Sequence, residues 1–215
     1  MGDRPILFSA PMVRALLDGR KTQTRRALKP MAGRQSEWLT TNLLNDVPRV
    51  EVCPSSPGGT DLGVRLEHPE GGPLGWIRCP YGKPGDRLWV RETFMHLRKR
   101  GEASQSVTLY RATGEPMNDR LKWKPSIFMT RKFSRITLEV AGIRVERLQS
   151  ISREDALAEG VDLREEKWPD SPQSMPLRLK PQYAFQLLWQ GINGTESWSA
   201  NPWVWVIDFK RVTHG

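Results

Sequence analysis

Histidine and cysteine are nearly missing from this chain: 215 residues contain three His and two Cys. His68, His96 and His214 stand in unlike contexts with no ligand spacing, and no role is assigned to them. Cys53 and Cys79 are each followed by Pro and have no nearby His partners. Such a pair does not make a zinc site and is too sparse for a disulfide scaffold, which suits a reduced, cytoplasmic setting. No convincing acidic cluster is present either, so no metal or cofactor is expected and metal-dependent hydrolysis is disfavoured. Long apolar runs are lacking; nothing approaches 18 consecutive apolar residues, so no membrane span is expected. The opening "MGDRPILFSAPM" is too short in its apolar part, and too broken by proline, for a signal peptide. Ile6 stands where a myristoylation signal after Gly2 needs Ser or Thr.

Acidic residues are in deficit. The formal charge is +9 and the sequence pI is near 9.9, a balance that favours an acidic partner such as nucleic acid. The excess is local. Residues 1–34 carry eight Lys/Arg against two Asp, and residues 98–135 carry ten against three acids. Within the first lies "GRKTQTRR", Gly19 to Arg26, four cations and two threonines with no acid among them. Within the second, "FMTRKFSR" interleaves aromatics with Arg131, Lys132 and Arg135, a pattern suited to nucleic acid and also to a strand edge protected from aggregation.

Nine Trp supply apolar area for a core despite a hydrophobic fraction of 38%. Pro5 to Phe8 reads as a short strand. Pro11 opens a helix with Met12, Val13, Leu16 and Leu17 on one face, and Gly19 stops it. Thr22 to Leu28 reads as extended. Residues 31–75 are rich in Gly, Pro and Ser without a surviving period, and read as a long insertion or an irregular subdomain. "WIRCP", "RLWVRETF" and "SVTLYRA" read as strands, with Leu88, Val90 and Glu92 on one face and Trp89, Arg91 and Thr93 on the other. "FSRITLEVAGIRVERL" is the longest β signal, interrupted at Gly142. Ser152 with Asp155 caps a helix that ends at Gly160, and Pro181 opens another. The closing "WVWVIDFKRV" alternates Trp203, Trp205, Ile207 and Phe209 against Val204, Val206 and Asp208. Both Trp read as core. Short strands with few helices predict a mainly β, α+β fold built on a small, strongly bent sheet or barrel.

Four segments in this order resemble the ASCH family. They are "LLDGRKTQTRR", matching G-x-K-x-x-[TE]-x-R at Gly19, Lys21, Thr24 and Arg26, then "PGDRLWV", "VERLQSISREDALAEG" and "WVWVIDFK". Together they cover about a third of the chain. The resemblance implies a single PUA-like β-barrel over residues 1–215, enlarged by insertions at 31–75, 95–125 and 161–180. It also implies a pocket for a nucleobase or nucleoside in an RNA context. Some small members are amidohydrolases that remove the acetyl group of N4-acetylcytidine with a Lys, a Thr and a Glu, which fall here on Lys21, Thr24 and Glu159. Others are reported as ribonucleases or assigned as RNA binders. The enlarged, Trp-rich form is similar to proteins carried by bacteriophages and prophages.

The chemistry sets its own conditions. A Thr24 nucleophile needs a base within about 2.6–3.2 Å. A free Lys, with a pKa of about 10.4, is charged at neutral pH. Arg20, Arg25, Arg26 and burial would lower that value, whereas Glu159 would raise it. Lys21 is then either a relay that passes its proton to Glu159 or a fixed cation that stabilises an oxyanion. Residues three apart on a strand diverge, so Lys21 and Thr24 converge only if Lys21 stays in the turn after Gly19 or the strand bulges. Arg91 and Glu92 are either an ordinary strand pair or pocket-rim residues, and Asn201 offers polar contacts at a barrel mouth. The expected activity is hydrolysis of an N4-acylated cytidine. The alternatives are a non-catalytic RNA-binding module using Arg20, Arg25, Arg26, Arg131, Lys132 and Arg135, and a metal-independent ribonuclease in which Lys21 and Arg26 hold the phosphate.

Overall fold

The computed structural model describes residues 3–28, 49–53, 61–67, 73–98, 106–114, 122–163 and 179–212. The chain opens as strand, helix, strand: β1 (Asp3–Leu7), α1 (Ala10–Leu17) and β2 (Gln23–Ala27). Pro11 presets the first turn of α1, which buries Met12, Val13, Ala15 and Leu16. Gly19 leaves the helix at φ 73°, a left-handed value that glycine adopts without penalty.

Then follow β3 (Val50–Val52), β4 (Leu62–Glu67), β5 (Pro73–Arg78), β6 (Arg87–Arg91), β7 (Phe94–Arg98), β8 (Ser106–Tyr110) and β9 (Thr137–Arg147). Helices α2 (Arg153–Ala158) and α3 (Pro181–Asn193) precede the last strand, β10 (Trp203–Val212). Among the described residues the chain is thus mainly β, with ten strands and three α-helices.

The main sheet has five strands in the order β1-β6-β9-β10-β2. Strands β1 and β6 run parallel and the other neighbours antiparallel. The ladder does not close, since β1 and β2 are both edges. A side chain spans them instead: Arg26 on β2 donates from Nη2 to the Leu7 carbonyl of β1 at 2.6 Å. The expected interruption at Gly142 is a register shift between β9 and β10, where consecutive Asp208 and Phe209 face Gly142 and Val140. Gly142 faces Asp208, whose Oδ2 would lie 3.2 Å from a Cβ there.

Alternation along β10 divides the core in two. Trp203, Trp205, Ile207 and Phe209 join the main cluster with Ile6, Phe8, Leu88, Val90, Leu138 and Val140. Val204 and Val206 face the opposite way, into a second cluster with Leu148, Ala156 of α2 and Phe185 and Trp189 of α3. A strand covered on both faces needs apolar residues at every position, which is why "WVWVI" is uninterrupted.

Residues 31–75, expected as a long insertion or an irregular subdomain, are regular in their described parts. Their described parts supply β3, β4 and the start of β5, a three-stranded antiparallel sheet that places Val64 and Ile77 in the main core. The strands are short, and Gly63 hides their period. It is there because a Cβ would meet the Ile77 carbonyl at 3.0 Å and the Cys53 Cβ at 3.3 Å. Residues 95–125 hold most of a β7–β8 hairpin. Of the expected insertion at 161–180, residues 164–178 lie outside the described residues, as do His68 and His214.

Candidate active site

Lys21 lies in the turn between α1 and β2 rather than on the strand. Its backbone N–H returns to the Ala15 carbonyl, and the residue forms an isolated antiparallel bridge with Glu159, the C-cap of α2. The neighbouring Thr22 N–H donates to the Ala158 carbonyl. Gly160 makes this junction possible. Its φ is 77°, and a Cβ on it would lie 2.8 Å from the Cβ atoms of both Ala15 and Lys21. Two glycine stops, at positions 19 and 160, therefore bring Lys21 against Glu159 across 138 residues of sequence.

The amine is fully committed. Lys21 Nζ donates to Glu159 Oε2 at 2.7 Å, to the Gln23 carbonyl at 2.8 Å and to the Glu159 carbonyl at 2.9 Å. Its side chain is 0% exposed and that of Glu159 2%. Burial holds the Lys21 pKa below its ordinary value against the opposing pull of Glu159, and the Arg26 and Arg25 charges push the same way as burial. The Phe8 ring centroid lies 5.4 Å from Nζ and 5.3 Å from the Arg26 guanidinium, so both cations meet the same ring. Glu159 Oε1 is buried without a hydrogen bond, and Arg25 Nη1 is 3.7 Å away.

Thr24 sits on β2 opposite Ile207 and is 1% exposed. Strand alternation sets it on the face of Arg26, away from Gln23 and Arg25. Those two residues enter a second network. Gln23 Nε2 donates to Asp208 Oδ1 at 2.7 Å and to Asp155 Oδ1 at 3.0 Å, while its Oε1 accepts from Arg25. Arg25 Nη2 donates to Asp155 Oδ2 at 2.7 Å and Glu146 Oε2 at 3.1 Å. Arg144 joins the same Asp155 oxygen and Asp208 Oδ2, each at 2.8 Å. Burial alone would raise the Asp155 pKa; hydrogen bonds from Gln23 and Arg25, with the charges of Arg25 and Arg144, hold it below its ordinary value instead. The carboxylates here are occupied by guanidinium and amide donors, the arrangement of an ion network rather than a cation site.

Arg25, Glu92 and Asn201, expected at a binding surface, have other places, whereas Arg20, Arg91, Arg131 and Lys132 make contacts at or near the surface. Arg25 is 0% exposed and spent on the network, so it is not available to a phosphate. Glu92 is 2% exposed and accepts from two Arg135 donors, Nε at 2.8 Å and Nη2 at 3.0 Å, while the Arg135 guanidinium lies 4.0 Å over the Tyr110 ring. Asn201 holds a left-handed φ of 41°, and its Oδ1 accepts from the Gln149 N–H at 2.9 Å. It lies beyond the Leu28 end of β2, away from Lys21. Arg20 is exposed and donates to Asp18 and to the Gly160 carbonyl. Arg91 reaches the Ser126 and Ile127 carbonyls. Arg131 pairs with Asp3 at 3.2 Å, and Lys132 lies 4.8 Å over the Phe133 ring.

Phe8, Gln23 and Asp155 escaped the sequence reading as members of this region. Only Asp155 carried a signal, as the capping partner of Ser152, whose Oγ accepts its N–H at 3.0 Å. No helix among the described residues is long and apolar enough to cross a membrane. No protein-family model, no curated protein and no solved structure matches the chain.

Proposed function

We propose that this chain is an enlarged ASCH protein with a PUA-like barrel, acting on RNA or its modified nucleosides as an amidohydrolase of N4-acylated cytidine. The buried Lys21–Glu159 pair carries this reading. A lysine and a glutamate, both nearly without solvent, meet at 2.7 Å three residues before Thr24. Lys21 leaves the α1 turn ahead of the strand, which removes the strand-alternation objection to its working with Thr24.

The three hydrogen bonds of Nζ define how a proton would move. Two acceptors are carbonyls, which do not take up a proton, and the third is a carboxylate, which does. Passing one proton from Nζ to Glu159 Oε2 leaves two N–H groups and a lone pair directed at the Glu159 carboxyl, so the amine must rotate to turn that lone pair toward Thr24. Burial lowers the Lys21 pKa and so eases release of that proton. The lone pair then takes the Thr24 hydroxyl proton as Oγ bonds to the acyl carbon. Arg26 stands on the Thr24 face to stabilise the oxyanion. Collapse breaks the C–N4 bond as the Lys21 proton passes to the departing amine. Water then gives a proton to Lys21 as it attacks the Thr24 ester, that proton passes to Thr24 Oγ as the C–O bond breaks, and the carboxylic acid leaves and ionises in solvent.

A non-catalytic RNA-binding module is the second reading, favoured by the 1% exposure of Thr24, which leaves a nucleophile little access. The ribonuclease reading is the least supported, because Lys21 has no N–H left for a phosphate. Turnover of N4-acetylcytidine to cytidine and acetate, followed by chromatography, tests the proposal. Wild type should turn it over and Thr24→Val should not, with losses of orders of magnitude in rate. Wild-type protein inert on this nucleoside, free or in RNA, sinks the substrate and leaves the binding module.

A further inference from the structure

Residues 122–135 contain Lys122, Lys124, Arg131, Lys132 and Arg135 and no acid. They also hold the two most exposed large apolar side chains among the described residues, Phe128 at 63% and Ile127 at 57%. This segment is tied down along its length. Lys124 bridges to Phe94, Met129 is 1% exposed beneath the turn, and the Tyr110 hydroxyl donates to the Phe133 carbonyl at 2.9 Å. Phe133 packs on Phe94 with ring centroids 5.5 Å apart. Residues 126–128 form a single 3-10 turn, held from below by the Arg91 guanidinium on the Ser126 and Ile127 carbonyls. Phe128 is therefore presented by a buttressed turn.

The turn also has a definite place. Arg91 ends β6 opposite Leu7 of the parallel β1, and its carbonyl accepts the Phe8 N–H at 3.1 Å. Phe8 is the ring shared by Lys21 and Arg26. One residue thus holds the Phe128 turn with its side chain and the Phe8 backbone with its carbonyl.

We infer that the 126–128 turn is a stacking platform for a nucleotide next to the one at the Lys21–Thr24 site, so that the partner is a single-stranded RNA segment rather than an isolated nucleoside. This rests on the reading above that the site takes a nucleobase. A rigid exposed aromatic flanked by cations supplies both contacts such a strand needs: a ring for the π-face of a base, and Lys124, Arg131 and Lys132 for phosphates. Arg131 carries the track to β1, where it meets Asp3.

The test is binding of a short single-stranded RNA containing one N4-acetylcytidine, read by fluorescence anisotropy at fixed salt. Phe128→Ala should weaken affinity by about 5- to 150-fold, the range for loss of one base–aromatic stack. Phe128→Trp should restore it, and Phe128→Leu, apolar but without a π-face, should behave as Ala. Phe128 is mostly exposed, so all three variants should melt with wild type. Removing two phosphate contacts with Arg131→Gln and Lys132→Gln should lower the salt slope of binding by about 1.4. RNA affinity unchanged in Phe128→Ala, or wild type that does not bind RNA, overturns the platform. So does Phe128-dependent binding to phosphatidylserine vesicles in place of RNA, which makes the turn a lipid contact. Wild-type turnover of the free nucleoside reports on the hydrolase alone. An inert protein that still binds RNA through Phe128 keeps the platform and loses the enzyme.

Discussion

Lys21→Met preserves most of the side-chain volume and removes the amine, and its consequence is structural before it is chemical. Glu159 would keep a carboxylate that is 2% exposed, losing the 2.7 Å partner and retaining only Arg25 Nη1 at 3.7 Å. The Gln23 and Glu159 carbonyls would lose their donors at the same time. Breaking a buried ion pair from one side costs about 3–5 kcal/mol. For a chain of this length, 1 kcal/mol shifts Tm by about 2–4 °C, so the melting temperature should fall by roughly 6–20 °C. Replacing both partners, Lys21→Met with Glu159→Leu, should recover most of that loss, because apolar groups of similar volume replace a buried pair at little cost. Thermal melts and urea titrations of the four proteins form a double-mutant cycle. A single Lys21→Met variant melting within about 2 °C of wild type would refute a charged, desolvated pair. The cycle also decides how activity data are read. Inactive Lys21→Met protein alone does not identify a base, since its fold is weakened, and Thr24→Val carries the chemical question.

Thr24→Val should melt close to wild type and lose turnover, while Thr24→Ser should keep part of it; activity persisting in Thr24→Val discards the nucleophile. Gly160→Ala forces a left-handed φ of 77° on a residue with a Cβ and drives that Cβ into Ala15 and Lys21 at 2.8 Å. It should lower stability by about 2–4 kcal/mol, read by urea denaturation. Asp155 has a pKa held below 3.8 in the fold, so its stabilisation is present above that value and is lost as pH falls through the folded pKa. Stability of the wild type should therefore drop below about pH 4, and Asp155→Asn should be less stable at neutral pH with a flatter acid limb; an unchanged acid limb would remove Asp155 as a contributor.

The signals legible in the chain are those that act within a few residues. Proline at the start of α1, glycine at positions 19 and 160 and the Ser152–Asp155 cap constrain backbone angles locally, and they mark the helix ends that meet at the site. Alternation along "WVWVIDF" likewise follows from the two-residue period of a strand, and it separates the two core clusters without reference to the rest of the fold. The pairing of Lys21 with Glu159 was expected through the family resemblance, since a cation and an acid 138 residues apart have no local pattern linking them.

Tertiary structure alone decided what each cation does. "GRKTQTRR" reads as one basic run, yet its members are sorted by strand alternation and by what packs on each face. Arg20 stays in solvent, Lys21 is sealed against Glu159, Arg25 is spent on Asp155 and Glu146 and Arg26 reaches across to the other sheet edge. The charge of a side chain is a property of its residue type, but its exposure and its partners depend on contacts distant in sequence, and those determine whether it meets a ligand or holds the fold. Of the three-stranded sheet in 50–78, only the Trp76–Arg78 end of β5 was legible. Strands β3 and β4 are short, β4 carries Gly63, and both have too little period of their own and are held by pairing.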